Sequence, residues 1–135
     1  MKRTILVADV PESHSRYRAI LGEGELVFVT GLGEAVRRVD AIRYDAILIG
    51  VLVDDSRMFD LLRHLRAAPG SSKDTPVACV RSGGTLAISA RALEIAAKAL
   101  RCDCFIDFAA HADDAAGNEA VRRIVYDLME GKTTT

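Results

Sequence analysis

The sequence predicts an α/β domain in which a five-stranded parallel sheet is flanked by five helices, and three observations carry that expectation. Apolar runs of strand length alternate with segments of helical period, which implies a parallel sheet covered on both faces and joined by right-handed crossovers. The chain is 135 residues long with no internal repeat or linker, which suits one domain around one core. The clearest single unit is Tyr44 to Leu65, YDAILIGVLVDDSRMFDLLRHL. Its apolar run from Ala46 to Val53 suits a strand buried on both faces, and Met58, Leu61, Leu62 and Leu65 then recur at helical spacing. Ligands in an open α/β sheet gather at the carboxyl ends of the strands, so a site is sought first between Gly50 and Asp55.

The first strand is expected at Thr4 to Ala8, closed by Pro11, which has no backbone N–H to give. A helix from about Glu12 to Leu21 turns Tyr17, Ile20 and Leu21 inward, and LGEGE leads into a second strand, Leu26 to Thr30. Gly31 and Gly33 bracket the next turn, after which Val36, Val39 and Ile42 mark a helical face. Beyond the central unit, a polar loop from Pro69 to Asp74 precedes a fourth strand, Pro76 to Val80, which Ser82, Gly83 and Gly84 end. A fourth helix from about Thr85 to Leu100 leads to a fifth strand, Asp103 to Asp107. The last helix runs from Asp113 or Asp114 to Met129, with an aspartate as N-cap and Val121, Ile124, Val125 and Leu128 buried. Residues 1–130 are expected as one domain and 131–135 as a disordered tail.

Composition removes several classes of function. The formal net charge of −1 gives no general affinity for nucleic acid or for an anionic membrane, and no helix-turn-helix pattern or basic stripe is present. No apolar run reaches spanning length, and MKRTILVAD breaks at Asp9 before a signal-peptide core forms, so a cytoplasmic location is expected. Cys79, Cys102 and Cys104 fit a reduced compartment in which thiols serve as small core residues. The C-x-C at 102 and 104 lacks a second pair, and His14, His64 and His111 are scattered, so neither a metal nor a cofactor is expected.

Four segments carry a family resemblance: TILVADVPESHSRYRAIL, YDAILIGVLVDDSRMFDLLRHLR, PVACVRSG and ALRCDCFIDF. Together they resemble the receiver domain of two-component response regulators, the CheY-like superfamily, over nearly the whole chain. The resemblance implies a flavodoxin-like fold with strand order 2-1-3-4-5. It places the phosphate-accepting position on Gly50, the acidic pair on Asp9 and Val10, the hydroxyl position on Arg81 with Ser82 beside it, and the lysine position on Phe108. The aromatic switch position falls on Phe105.

Receiver chemistry needs a carboxylate nucleophile, a divalent cation held by carboxylates, and fixed positive charge on the transferred oxygens. Glycine at 50 offers no nucleophile, and Asp9 is the only carboxylate kept from the pair. The resemblance therefore implies a degenerate pocket in a pseudo-receiver. Two readings of Arg81 stand side by side: it pairs with Asp9 in place of the metal and holds one state, or it points to solvent while Asp9 is a lone carboxylate or cap. Asp54 and Asp55 lie near enough in sequence to offer a substitute acceptor or metal ligand, although acids ahead of a helix more often cap it.

The fourth helix is apolar on two sides. Leu86, Ala90, Leu93, Ala97 and Leu100 form a core-facing stripe, and Ile88, Ala92, Ile95 and Ala99 form a second one nearly opposite. A second stripe marks either contact with another protein or an alanine-rich helix half covered by a loop. Receivers use the surface of the fourth helix, fifth strand and fifth helix for dimers and partners, so the resemblance puts Ile88, Ala92, Ile95, Ala99 and Phe105 at an interface.

The leading expectation is a stand-alone, non-enzymatic pseudo-receiver that signals by binding a sensor kinase, a phosphotransfer protein or another regulator, or by forming a homodimer. The alternative is a small-ligand sensor, with a nucleotide second messenger as one candidate, using the pocket around Asp9, Gly50, Asp54 and Arg81. A flavin carrier on the same fold is disfavoured because DVPESHS puts acids and a proline where a phosphate cradle belongs.

Overall fold

In the computed structural model, residues 3–22, 24–67, 74–83 and 89–131 are described. Strands β1 (Thr4–Ala8), β2 (Glu25–Val29), β3 (Ala46–Gly50), β4 (Val77–Arg81) and β5 (Cys104–Asp107) form one sheet in the order β2-β1-β3-β4-β5. Every pairing is parallel, with Ala8 opposite Ile49, Gly50 opposite Val80 and Arg81 opposite Asp107. Between the strands run α1 (His14–Leu21), entered through a 3-10 turn at Pro11–Ser13, then α2 (Leu32–Ala41), α3 (Val53–Ser56), α4 (Met58–Ala67), α5 (Ala90–Ala99) and α6 (Ala115–Met129). No helix among the described residues is long and apolar enough to cross a membrane.

Alternation along the strands sorts the core into two layers. Leu6, Ala8, Ile47 and Ile49 pack under α2, α4 and α5, while Ile5, Val7, Leu48 and Val80 pack under α1 and α6. Residues 46 to 50 of β3 are all buried, as a continuous apolar run in the middle of a doubly covered sheet must be. On the α4 side the expected stripe of Met58, Leu61, Leu62 and Leu65 is buried throughout. Cys79, Cys102 and Cys104 are free and buried, and the Cys102 thiol donates to the Cys104 carbonyl at 2.7 Å.

Several expected boundaries move, each for a local reason. The central strand stops at Gly50 instead of continuing to Val53, because Asp54, Asp55 and Ser56 all take positive φ and turn the chain through α3, a sixth helical element absent from the sequence reading. Ile42 leaves the buried face: α2 ends at Ala41, and Ile42 adopts extended angles as the C-cap with half its surface exposed. The fourth predicted helix, here α5, begins at Ala90 and not at Thr85, since Ser89 is extended and its side chain accepts the Ala92 N–H. Strand β4 runs on to Arg81, which draws that residue into the sheet. Leu86 and Ile88, most of the loop from Pro69 to Asp74, and the tail beyond Gly131 lie outside the described residues.

Candidate functional site

The carboxyl end of the sheet is centred on Asp9, the residue after β1. Its backbone N–H still bonds across to Val29 at 3.2 Å, which holds its side chain over the neighbouring strand β3. Asp9 is completely buried. One carboxylate oxygen accepts the Tyr17 hydroxyl at 2.7 Å and the other accepts the Val10 N–H at 2.7 Å. Such charge-assisted bonds are what make a buried carboxylate tolerable.

Gly50 explains why the carboxylate fits. A Cβ built on residue 50 would collide with the Cγ and both oxygens of Asp9. The volume that a side chain at residue 50 would fill is taken by the side chain of Asp9, delivered from the end of β1. Glycine at 50 is therefore a packing requirement of Asp9.

Tyr17 anchors this arrangement from the first turns of α1. The side chain is buried against Phe108, ring to ring at 5.3 Å. Burial above all, and next the charge of Asp9 and its hydrogen bond, push its phenol well above the ordinary value of 10.0. Phe108, at the position where the resemblance expects a lysine, is buried and offers no charge. Arg16 covers it, with its guanidinium 4.8 Å from the Phe108 ring and donating to the carbonyls of Phe108, His111 and Ala112. It is committed to the loop after β5.

Arg81 does not pair with Asp9, which overturns the proposed lock between them. As the last residue of β4 it lies in register with Asp107 of β5, and one guanidinium nitrogen reaches both Asp107 oxygens at 3.1 and 3.2 Å. Asp9 sits below, sealed by Tyr17. Nor does Arg81 point freely to solvent, the other reading, since less than a quarter of its side chain is exposed. Asp107 also accepts the Ala109 N–H at 3.0 Å, so it caps the short 3-10 turn at Phe108–Ala110.

Asp54 is a cap of an unexpected kind. Its carboxylate accepts the Leu32 N–H at 2.7 Å and so serves the N-terminus of α2 from across the loop. Asp55 is exposed beside it. No group of three or more His, Cys, Asp or Glu side chains among the described residues is arranged to hold a metal ion. Val10 contributes backbone alone, giving its N–H to Asp9 and its carbonyl to Ser13.

On α5, Leu93 and Ala97 are buried, and Ala90 and Leu100 are half-buried, as the inner stripe requires. The outer stripe also stands: Ala92 and Ala99 are exposed and Ile95 is 59% exposed. Phe105 is half-buried on β5 and packs into the layer beneath α5. Ile88 lies outside the described residues.

Tyr17, Arg16 and Asp107 are the site residues that sequence reasoning missed. Tyr17 was legible as an inward residue, but its hydroxyl had no partner to suggest until the approach of Asp9 was known. Arg16 finds partners 92 to 102 residues along the chain and Asp107 finds Arg81 at 26, and no local pattern signals that.

No family profile matches the chain, and no curated protein matches it either. Solved structures do. A response regulator from Hahella chejuensis matches at a TM-score of 0.72 with 18% identity, covering 100% of this chain and 99% of that one. The phosphorylated cyanobacterial phytochrome response regulator RcpA matches at 0.73 with 16% identity over 100% and 98%. The signal receiver domain of a histidine kinase from Syntrophus aciditrophicus matches at 0.72 with 23% identity over 98% and 94%. At these identities the likeness concerns architecture, and with the strand order and helix placement described above it establishes that the chain has the flavodoxin-like fold of response regulator receiver domains.

Proposed function

We propose that this chain is a pseudo-receiver: a signalling protein of the two-component type that takes no phosphoryl group and acts by binding another protein. One observation carries the reading. The Asp9 carboxylate, buried and bonded to Tyr17, fills the space over Gly50 where an acceptor side chain would stand. The rest of the pocket supports it, with Phe108 uncharged and buried, and Arg81 committed to Asp107. Catalysis of phosphoryl transfer by positioning and charge has nothing here to position.

Without an acceptor, information passes by docking, to a sensor kinase, a phosphotransfer protein, another regulator or a second copy of the chain. We assign the contact to the outer face of α5, where Ala92, Ile95 and Ala99 are exposed, with Phe105 adjoining and Ile88 continuing the stripe in sequence. The reading makes the protein a non-enzymatic component of the cytoplasm. A ligand sensor in the same pocket has less support, because Asp9, Arg81 and Asp54 each already hold a partner within the chain.

The test is direct. The purified protein is incubated with acetyl phosphate or phosphoramidate and Mg²⁺, then examined by intact mass and by acid gel. No mass increase is the expected outcome, and an adduct of one phosphoryl group that hydroxylamine or alkali removes, as an acyl phosphate requires, would sink the reading.

A further inference from the structure

We infer that the space over Gly50 is a carboxylate-binding site and that its resident ligand is the chain's own Asp9. The inference deepens the pseudo-receiver reading and rests on it: the pocket has become a socket of a different chemistry, filled in cis.

The socket has the parts that a small carboxylate requires. Two donors converge on it, the Tyr17 hydroxyl from α1 and the backbone N–H of the adjoining residue Val10, each at 2.7 Å and each on its own oxygen. Gly50 forms the floor and leaves the volume open. Water is excluded, since Asp9 and Tyr17 are both essentially inaccessible, and hydrogen bonds to an anion gain strength in such a setting. The phenol ring is itself held by packing against Phe108, ring centroids 5.3 Å apart.

Arg81, the cation at the mouth, does not reach the socket because Asp107 engages it. Recognition there depends on hydrogen-bond geometry and fit, which favours a planar monocarboxylate over a bulky tetrahedral oxyanion. Filled in this way, the carboxyl end of the sheet keeps one arrangement that waits for neither metal nor phosphodonor.

Truncating the ligand and returning it in solution tests this. Asp9→Ala removes a group equal in size to formate, and the thermal midpoint of the full chain is followed in sodium formate against sodium chloride at equal ionic strength. A saturable formate-specific rise of about 2–6 °C is expected for Asp9→Ala. Wild type, whose socket is occupied, should show none, and neither should Asp9→Ala/Tyr17→Phe, which has lost the principal donor. If Asp9→Ala is unfolded in chloride, the same comparison is read as the fraction that folds in formate.

Equal behaviour of Asp9→Ala in formate and chloride, by either reading, overturns the inference and leaves the absence of phosphorylation untouched. An acyl phosphate on wild type alongside formate rescue of Asp9→Ala would remove the pseudo-receiver reading and keep the socket.

Discussion

At the scale of single residues, the hydroxyl of Tyr17 separates a packed ring from a working contact. Phenylalanine would keep the ring against Phe108 but leave one Asp9 oxygen buried without its donor, which costs about 1–3 kcal/mol. The pH dependence has a definite sign. The folded phenol titrates above the unfolded value near 10.0, chiefly because it is buried and then because Asp9 is charged, so the native state keeps the proton longer than the unfolded chain does. Its contribution is complete below that unfolded value and is lost as the pH rises through the folded one. Urea unfolding of wild type and Tyr17→Phe between pH 7 and 11 should therefore show wild type more stable at neutrality and losing stability more steeply above pH 10, so that the two curves converge. Parallel curves would mean that the hydroxyl carries no such linkage. Asp9 and Gly50 were both singled out in the sequence as candidate pocket residues; that one fills the space over the other was not legible, because it depends on a side-chain direction across two strands.

At the scale of elements, periodicity was a good guide to helices and a poor guide to their ends. The inner stripe of α5 was read correctly from Leu93 and Ala97, whereas its start was placed near Thr85 because nothing in the apolar pattern marks Ser89 as the cap. Hydroxyl capping is a local device that a run of apolar spacing overrides on paper. The outer stripe of the same helix has the opposite character: it is plain in the sequence and unexplained by the fold. Ile95 is more exposed than any other large hydrophobic side chain among the described residues, and Ala92 and Ala99, one turn to either side, would let a partner approach closely. Ile95→Glu should leave thermal stability within about 0.5 kcal/mol of wild type, since no native packing is lost. The same change should abolish any self-association seen by sedimentation velocity, or capture of a partner that wild type captures. An Ile95→Glu protein that assembles and captures as wild type does would remove α5 from the interface.

At the scale of the whole molecule, the fold was readable because it is written redundantly: five apolar runs, each long enough for a strand, with amphipathic segments between them, leave few ways to cover both faces of one sheet. The site is written once, in contacts between residues far apart in the chain, and there the sequence misled on Arg81, whose partner was set by the register of β4 against β5. The same reasoning makes residues 9 and 50 one coupled pair and not two independent positions. Gly50→Asp alone should destabilise the fold. The new side chain must enter space that the Asp9 carboxylate occupies, and forcing two groups into one packed volume costs about 1–3 kcal/mol before the repulsion of two buried carboxylates is added. Asp9→Gly alone opens that space and strands the Tyr17 hydroxyl, which also destabilises. In Asp9→Gly/Gly50→Asp the carboxylate returns from β3 instead of β1, and the double variant should be more stable than the sum of the two single effects predicts. Denaturant unfolding of the four proteins measures that coupling. Strict additivity would mean that the two positions do not share one space, and the account of the pocket built on their exchange would have to be abandoned.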